Sequence, residues 1–487
     1  LTHIGDYAFY NRTYLDEVRI PTTVTSIGGY AFYRCLAIHY LWALPETAPT
    51  IESTTFQSTN VNSFFYNHKD SSYDTGYWGM YLNNRYVIYV DKVGDNLLSI
   101  VSPNSGSAGR HIITGTGAMY DYDIDSNLPP YKTWTDWFYC ESLSIEEGIT
   151  HIGDYAFYNS SYYKSYSTPR SVETIGDFAF SGCFTDSNNA HVILIGVHLD
   201  KLTEIGYEAF WGAQSGISGL PESLVRIGDW AFSYCYFSDN TLSIPSKVEY
   251  IGNDAFRGCT NLTGGLVIPN RVTYLGSYAF SQCSGFDGTL TLSENLTTIN
   301  TGTFQFCSSL TGTLTIPEKV ETIKADAFAG TNITGELIIP DNVTSIEGTA
   351  FSGCNITGKL TIPNSITSIS PYCFNNTSIT ELVLHDGITD IGMGAFQNCS
   401  SLSKVTSLAT TAPTLNTNVF TGISADATLY YPSAGEQSYT DKGWMQYFSN
   451  SINQMCGDFA FYDIDLSTGK LTISGSGAMW DYDGTNQ

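Results

Sequence analysis

The feature that most limits what this chain can fold into is a two-residue signature that returns in register. Thirteen times an aliphatic residue is followed five positions later by Phe. The pairs are Ile4–Phe9, Ile27–Phe32, Ile152–Phe157, Ile175–Phe180, Ile205–Phe210, Ile227–Phe232, Ile251–Phe256, Leu275–Phe280, Ile299–Phe304, Ile323–Phe328, Ile346–Phe351, Ile369–Phe374 and Ile391–Phe396. From Phe232 to Phe328 the spacing between Phe residues is 24 every time, and it is then 23, 23, 22 and 24 as far as Phe420. A fixed period in the twenties marks a stacked-repeat architecture. One such unit cannot bury its own apolar side, so neighbouring units must close a continuous core.

A full unit runs from Cys259 to Gln282, CTNLTGGLVIPNRVTYLGSYAFSQ. Its alternating Leu266-Val267-Ile268 reads as a short strand, stopped by Pro269, which has no donor for a ladder. Parallel strands are expected at Leu242–Ile244, Leu266–Ile268, Leu290–Leu292, Leu314–Ile316, Leu337–Ile339, Leu360–Ile362 and Leu382–Leu384, joined in one continuous sheet. A second apolar pair follows at Val272 and Leu275, and Ser277–Phe280 reads as one short helical or 3₁₀ turn. Glycine follows the aliphatic residue in nine of the thirteen pairs, but Asn300, Lys324, Glu347 and Ser370 also stand there. The position therefore does not demand a left-handed backbone, and close packing or a permissive turn explains the glycine. The Asp next to it (Asp6, Asp154, Asp177, Asp229) reads as a cap of the turn that follows.

Segments that break the period set the organisation. GTGAMYDYD at 115–123 returns as GSGAMWDYD at 475–483, starting 360 residues later. Residues 1–93 are expected to end a first repeat array, with an irregular Tyr-rich exit after Phe56. Residues 94–142 form a cap or linker, 143–450 a second array with its own exit cap, and 451–487 the start of a third module. Leu1 falls inside a repeat, so any export or anchoring signal is expected outside this stretch.

Charge narrows the partners. There are 21 basic and 47 acidic residues, a net charge of −26. Such a surface repels phosphate backbones and anionic lipid, so neither nucleic acid nor direct membrane insertion is expected. Eight of the eleven cysteines fall three residues after the repeat Phe: Cys35, Cys183, Cys235, Cys259, Cys283, Cys307, Cys354 and Cys399. Each has like neighbours on both sides rather than one dedicated partner, so the reading is a column of buried free thiols. Asp121, Asp123 and Asp125 alternate like the start of a calcium loop, but the glycine and glutamate that loop needs are missing. A solvated acidic turn is the better reading, and no metal or other cofactor is called for. No metalloprotease, phosphate-loop or serine-hydrolase motif occurs, so the chain is not expected to be an enzyme.

The units IPTTVTSIGGYAFYRC (20–35) and IPSKVEYIGNDAFRGC (244–259) resemble the BspA-type leucine-rich repeats of bacterial surface proteins. The segment at 456–479 resembles the cap between such arrays in gut Firmicutes. The resemblance implies a leucine-rich repeat, right-handed solenoid of parallel β-strands with short helical or 3₁₀ turns, mainly β with little α. It also implies secretion to the cell surface or cell wall, and adhesion to host proteins or other cells. It carries no catalytic residues.

The regular strand face, through Ser243, Val267, Thr291, Thr315, Ile338, Thr361 and Val383, is uncharged and mostly β-branched. Discriminating sites usually need aromatic anchors, and these collect where the period fails. Tyr73, Tyr77 and Trp78 in the first exit and Tyr162, Tyr163 and Tyr166 in an insertion are the candidate binding residues, on loops set on a rigid scaffold. Trp134 and Trp137 are expected to seal a cap. A host extracellular or matrix protein is the expected partner. A mucin glycan is an alternative, and so is a spacer role in which the array only presents another domain.

Overall fold

The computed structural model describes residues 1–45, 47–59, 61, 63–66, 78, 86–104, 107–123, 140–160, 165–183, 199–214, 217–453, 457–465 and 470–479, some of them through the backbone alone. The chain divides into two compact units, Leu1–Ser223 and Leu224–Gln487. Each is a parallel β-solenoid, and together they carry about 16 turns with very little helix.

The second unit shows the logic of one coil. Leu266–Val267 forms a strand with Leu266 buried and Val267 exposed, and it pairs in parallel with Leu290–Thr291. Tyr274–Leu275 forms a second strand, paired in parallel with Tyr250–Ile251, which pairs in turn with Arg226–Ile227. This second ladder recurs at Thr298–Ile299, Thr322–Ile323 and Ser345–Ile346, then at Ser368–Ile369, Asp390–Ile391 and Thr414–Leu415. Within the repeat units the sequence reading assigned strand only to the Leu-x-Ile segments, so this second ladder was not anticipated.

The expected single continuous sheet is also corrected. Residues 242–244 are not strand, Leu266–Val267 and Leu290–Thr291 stand as a pair, and Thr315 meets Ile338 only as a bridge. The ladder becomes continuous from Thr334–Gly335 through Asn355–Thr361, Ser378–Leu384, Lys404–Ser407 and Thr428–Tyr430 to Asn450–Ile452. The proline that ends most of the expected strand segments, at 245, 269, 317, 340 and 363, removes a ladder donor. Two or three extended residues are then left, except where the chain is already extended from Asn355 or Ser378.

The turn before each Phe is neither helical nor 3₁₀. Tyr278 and Gln282 take φ of 56° and 63°, in the left-handed region. The N–H groups of Tyr278, Phe280 and Gln282 donate to Thr301, Thr303 and Gln305 of the next coil at 2.7–2.9 Å, while those of Ala279, Ser281 and Cys283 close tight turns on Gly276, Tyr278 and Phe280. Alternate donors thus serve the coil and its neighbour, and no backbone N–H of the turn is orphaned.

The core is a column of rings. Phe9, Phe32 and Phe56 stack at 5.1 Å, and Phe157, Phe180 and Phe210 at 5.1 and 5.4 Å. In the second unit nine rings from Phe232 to Phe420 stack at 5.1–5.9 Å. Trp444 ends that column: its ring lies 5.5 Å from Phe420 and its indole N–H donates to Pro413 at 2.9 Å. Among the described residues no helix is long and apolar enough to cross a membrane.

In the first unit an eight-stranded sheet leads from one array to the other. Glu17–Ile20, Tyr40–Ala43, Ser63–Tyr66 and Tyr86–Gly94 run parallel. Leu97–Asn104 and Ser107–Gly115 follow antiparallel, and Cys140–Ile145 and Ser165–Ser167 resume the parallel order.

Candidate functional site

Trp78 is the one residue of the first-exit trio that lies within the described residues. It is 4% exposed, its ring lies 5.6 Å from Phe56, and its indole N–H donates to Pro49 at 2.6 Å. This is the same seal that Trp444 makes on Phe420 and Pro413. Trp78 therefore covers the end of the first Phe column and has no surface to offer a partner, because an indole gains more from closing an apolar end than from standing in water. The two exits share this device. Tyr73, Tyr77, Tyr162 and Tyr163 lie outside the described residues, as do Trp134 and Trp137. Tyr166 is placed by its backbone in the strand Ser165–Ser167, paired with Leu143.

The Asp residues read as caps do something different. Asp6 accepts the N–H of Gly29, Asp154 that of Asp177, and Asp177 that of Tyr207, at 2.6–2.9 Å. Each donor belongs to the next coil, so the row is a rung-to-rung ladder between turns. Asp121 starts it, accepting from Asp154 N–H at 3.1 Å and from His151 Nε2 at 2.9 Å. Burial pushes Asp121 up, but these two hydrogen bonds and the nearby His151 hold its carboxyl below the ordinary value. The first of the supposed calcium ligands is thus already engaged. Among the described residues no group of three or more His, Cys, Asp or Glu side chains is placed to hold a metal ion.

A surface with recognition chemistry lies on regular coils of the second unit. On the second ladder Tyr250 and Tyr274 stack at 4.7 Å, and the Arg226 guanidinium lies 3.8 Å above Tyr250. On the adjoining turns Arg257 sits between Trp230 and Tyr278, 5.8 and 5.7 Å from their ring centres. Asp254 fixes Arg257 at 3.0 Å, and burial raises the Asp254 carboxyl even with that guanidinium beside it. Asp229 and Asn253 join the two columns, accepting from the hydroxyls of Tyr250 and Tyr274 at 3.3 and 3.4 Å. Tyr234 and Tyr236 stand exposed beside them. Trp, Tyr and Arg are the residues that dominate binding energy at protein interfaces, and here pairing with rings or carboxylates already holds both arginines.

The sequence reading missed this surface because it sought aromatics where the period fails. These residues fill the variable positions of regular units instead: GDWAFSYC, NDAFRGC and GSYAFSQC. Reading one register position down successive coils, as at Arg226, Tyr250 and Tyr274, would have found it.

A solenoid of short parallel strands closed by tight turns around a Phe column is a leucine-rich repeat protein. The BspA-type leucine-rich repeat pattern matches residues 1–80, 132–233, 183–284, 226–357 and 334–437, and the chain belongs to that family. Comparison with curated proteins gives no match. Among solved structures, the chain is similar to a leucine-rich cell surface protein from Faecalibacterium prausnitzii A2-165, at 20% identity and TM-score 0.38, over 76% of this chain and 95% of that one. It is similar also to a leucine-rich repeat protein from Eubacterium ventriosum ATCC 27560, at 19% identity and TM-score 0.38, over 70% and 87%. A third is the pneumococcal vaccine antigen PcpA, at 16% identity and TM-score 0.40, over 72% and 96%.

Proposed function

We propose that this chain is part of an extracellular surface scaffold that binds a protein partner, either a host matrix protein or a protein on another cell. The observation that carries this reading is the ring-and-guanidinium surface of Arg226, Trp230, Tyr250, Arg257 and Tyr278. It stands on regular coils, so little side-chain or backbone freedom is lost on binding, which favours affinity. The scaffold around it is closed by ring stacking and inter-coil hydrogen bonds. The family's occurrence on bacterial surfaces supports the location.

The test is binding of the whole chain to immobilised host matrix proteins, mucin and intact cells. Trp230→Ser with Arg257→Ala, and separately Tyr250→Ser with Tyr274→Ser, are compared with a loop variant replacing Tyr162, Tyr163 and Tyr166 by Ser. Loss of about 2 kcal/mol or more of binding, roughly 30-fold, in either of the first two at unchanged melting temperature supports the surface. Loss only in the loop variant moves the site to the insertion. Retention by all three removes both and favours the spacer role.

A further inference from the structure

We propose that the outward face of the eight-stranded sheet in the first unit holds a site for a neutral mono- or disaccharide. It is formed by Glu17, Arg19, Tyr40, Trp42 and Glu146. The proposal uses a different surface from the protein-binding one above and does not depend on it.

Alternation along these strands separates two faces. Val18, Ile20, Leu41 and Ala43 enter the solenoid core, whereas Trp42 packs on the other side in a separate cluster with Ile100, Leu98 and Ile112. On that other side lies a cavity of about 360 Å³. Ligand pockets span roughly 300–1,000 Å³, so this one suits one or two sugar rings and not a long chain. Trp42, Ile100 and Ile112 line it with apolar surface, while Glu17, Arg19, Tyr40 and Glu146 supply the polar groups. On the regular coils the corresponding strand row is flat and β-branched, with Val267 57% and Ile338 73% exposed. The cavity lies where the sheet passes between arrays.

The charges select the ligand. Arg19 pairs with Glu17 at 2.7 Å, and its guanidinium lies 4.9 Å from the Trp42 ring centre. A cationic ligand would meet that guanidinium already seated on the ring. An anionic ligand would meet two carboxylates against one guanidinium, on a chain of net charge −26. A purely apolar group would desolvate both carboxylates without supplying donors. A neutral sugar avoids all three penalties. Its hydroxyls donate to Glu17 and Glu146 and accept from Arg19, and the C–H face of the ring packs on Tyr40, which is 46% exposed.

The experiment is calorimetric titration of the whole chain with galactose, N-acetylglucosamine, lactose and maltose. A sialylated trisaccharide and a lysine tripeptide serve as charged controls. At least one neutral sugar is expected to bind, and Tyr40→Ala and Arg19→Gln should each weaken it tenfold or more at unchanged melting temperature. Glu146→Gln, at an exposed carboxylate, repeats the test if either substitution lowers that temperature. Absence of neutral-sugar binding at ~10 mM, binding confined to a charged control, or neutral-sugar binding indifferent to all three substitutions overturns the proposal. Trp230→Ser with Arg257→Ala should leave sugar binding intact, so the two proposals fail separately.

Discussion

At the residue scale, the cysteine column is more than filler. All nine cysteines among the described side chains are buried thiols outside any disulfide. Cys259, Cys283 and Cys307 each donate Sγ–H to the Phe carbonyl of the preceding coil, Phe232, Phe256 and Phe280, at 3.0–3.1 Å. Thr59 holds the same slot and donates to Phe32 in the same way. The thiol thus fills volume and satisfies a second lone pair on a buried carbonyl. Cys283→Thr should therefore cost less than Cys283→Val, by about 1 kcal/mol, the net worth of one hydrogen bond; equal melting temperatures would reduce the thiol to a filler. Burial pushes Cys283 up to about 12 and Cys354 to about 11. Since only the thiolate reacts, native protein should resist a thiol reagent near neutral pH, while denatured, unreduced protein should titrate most of the column. Few thiols after denaturation would mean disulfides instead. Free, buried thiols were legible from spacing alone, since a column of like neighbours offers no partner. The hydrogen bond was not, because its acceptor belongs to another coil.

At the element scale, the turns and the module junction set stability. Gly276 has no positive φ, but a Cβ there would lie 2.4 Å from the backbone N of Asn253 and the carbonyl carbon of Gly252. Close approach of coils, one of the two explanations read from sequence, is the operative one. Gly276→Ala should cost about 1–3 kcal/mol by overpacking, seen as a lower melting temperature; a neutral result would mean the coils can part freely. The cap motif explains itself as an imitation coil. Gly117–Ala118 pairs with Ile149–Ile152, Met119 N–H donates to His151, and Asp121 begins the Asp ladder. Its recurrence was visible in sequence, but its use of repeat pairing was hidden by the absence of the Ile-to-Phe signature. Beside it in the hairpin, His111 is 1% exposed, packs edge-on against Phe157 and bonds Ser99 at 2.8 Å. Burial pushes its pKa down to about 3. An unfolded histidine titrates near 6.5, so the folded state is favoured above that pH. As pH falls from 6.5 toward 3, it loses about 1.4 kcal/mol per unit. His111→Leu should shrink the drop in melting temperature between pH 7 and pH 4.5; an unchanged drop would assign acid lability to other groups.

At the scale of the whole molecule, the Phe signature dictated the architecture because a ring in every coil can be buried only by the rings above and below it. Fold class was therefore the most legible property, and partner choice the least, since recognition residues occupy positions that the repeat leaves free. The same nearest-neighbour logic governs unfolding. Phe280 is fully buried and stacks on Phe256 at 5.1 Å and on Phe304 at 5.9 Å. Removing its ring deletes both contacts and leaves a cavity, so Phe280→Ala should cost about 3–5 kcal/mol. The loss falls at the third of the nine rings of the second unit, and coils from Ile299 onward still have a continuous ring column ending on Trp444. Coils 226–275 lose the ring that closed them on that side. Denaturation should then split into two steps for this unit, with amides of 226–275 losing hydrogen-exchange protection before those of 304–420. A single transition with uniform loss across the second unit would show that its coils unfold as one block, and a cost below ~1 kcal/mol would show that the Phe column is not what holds them.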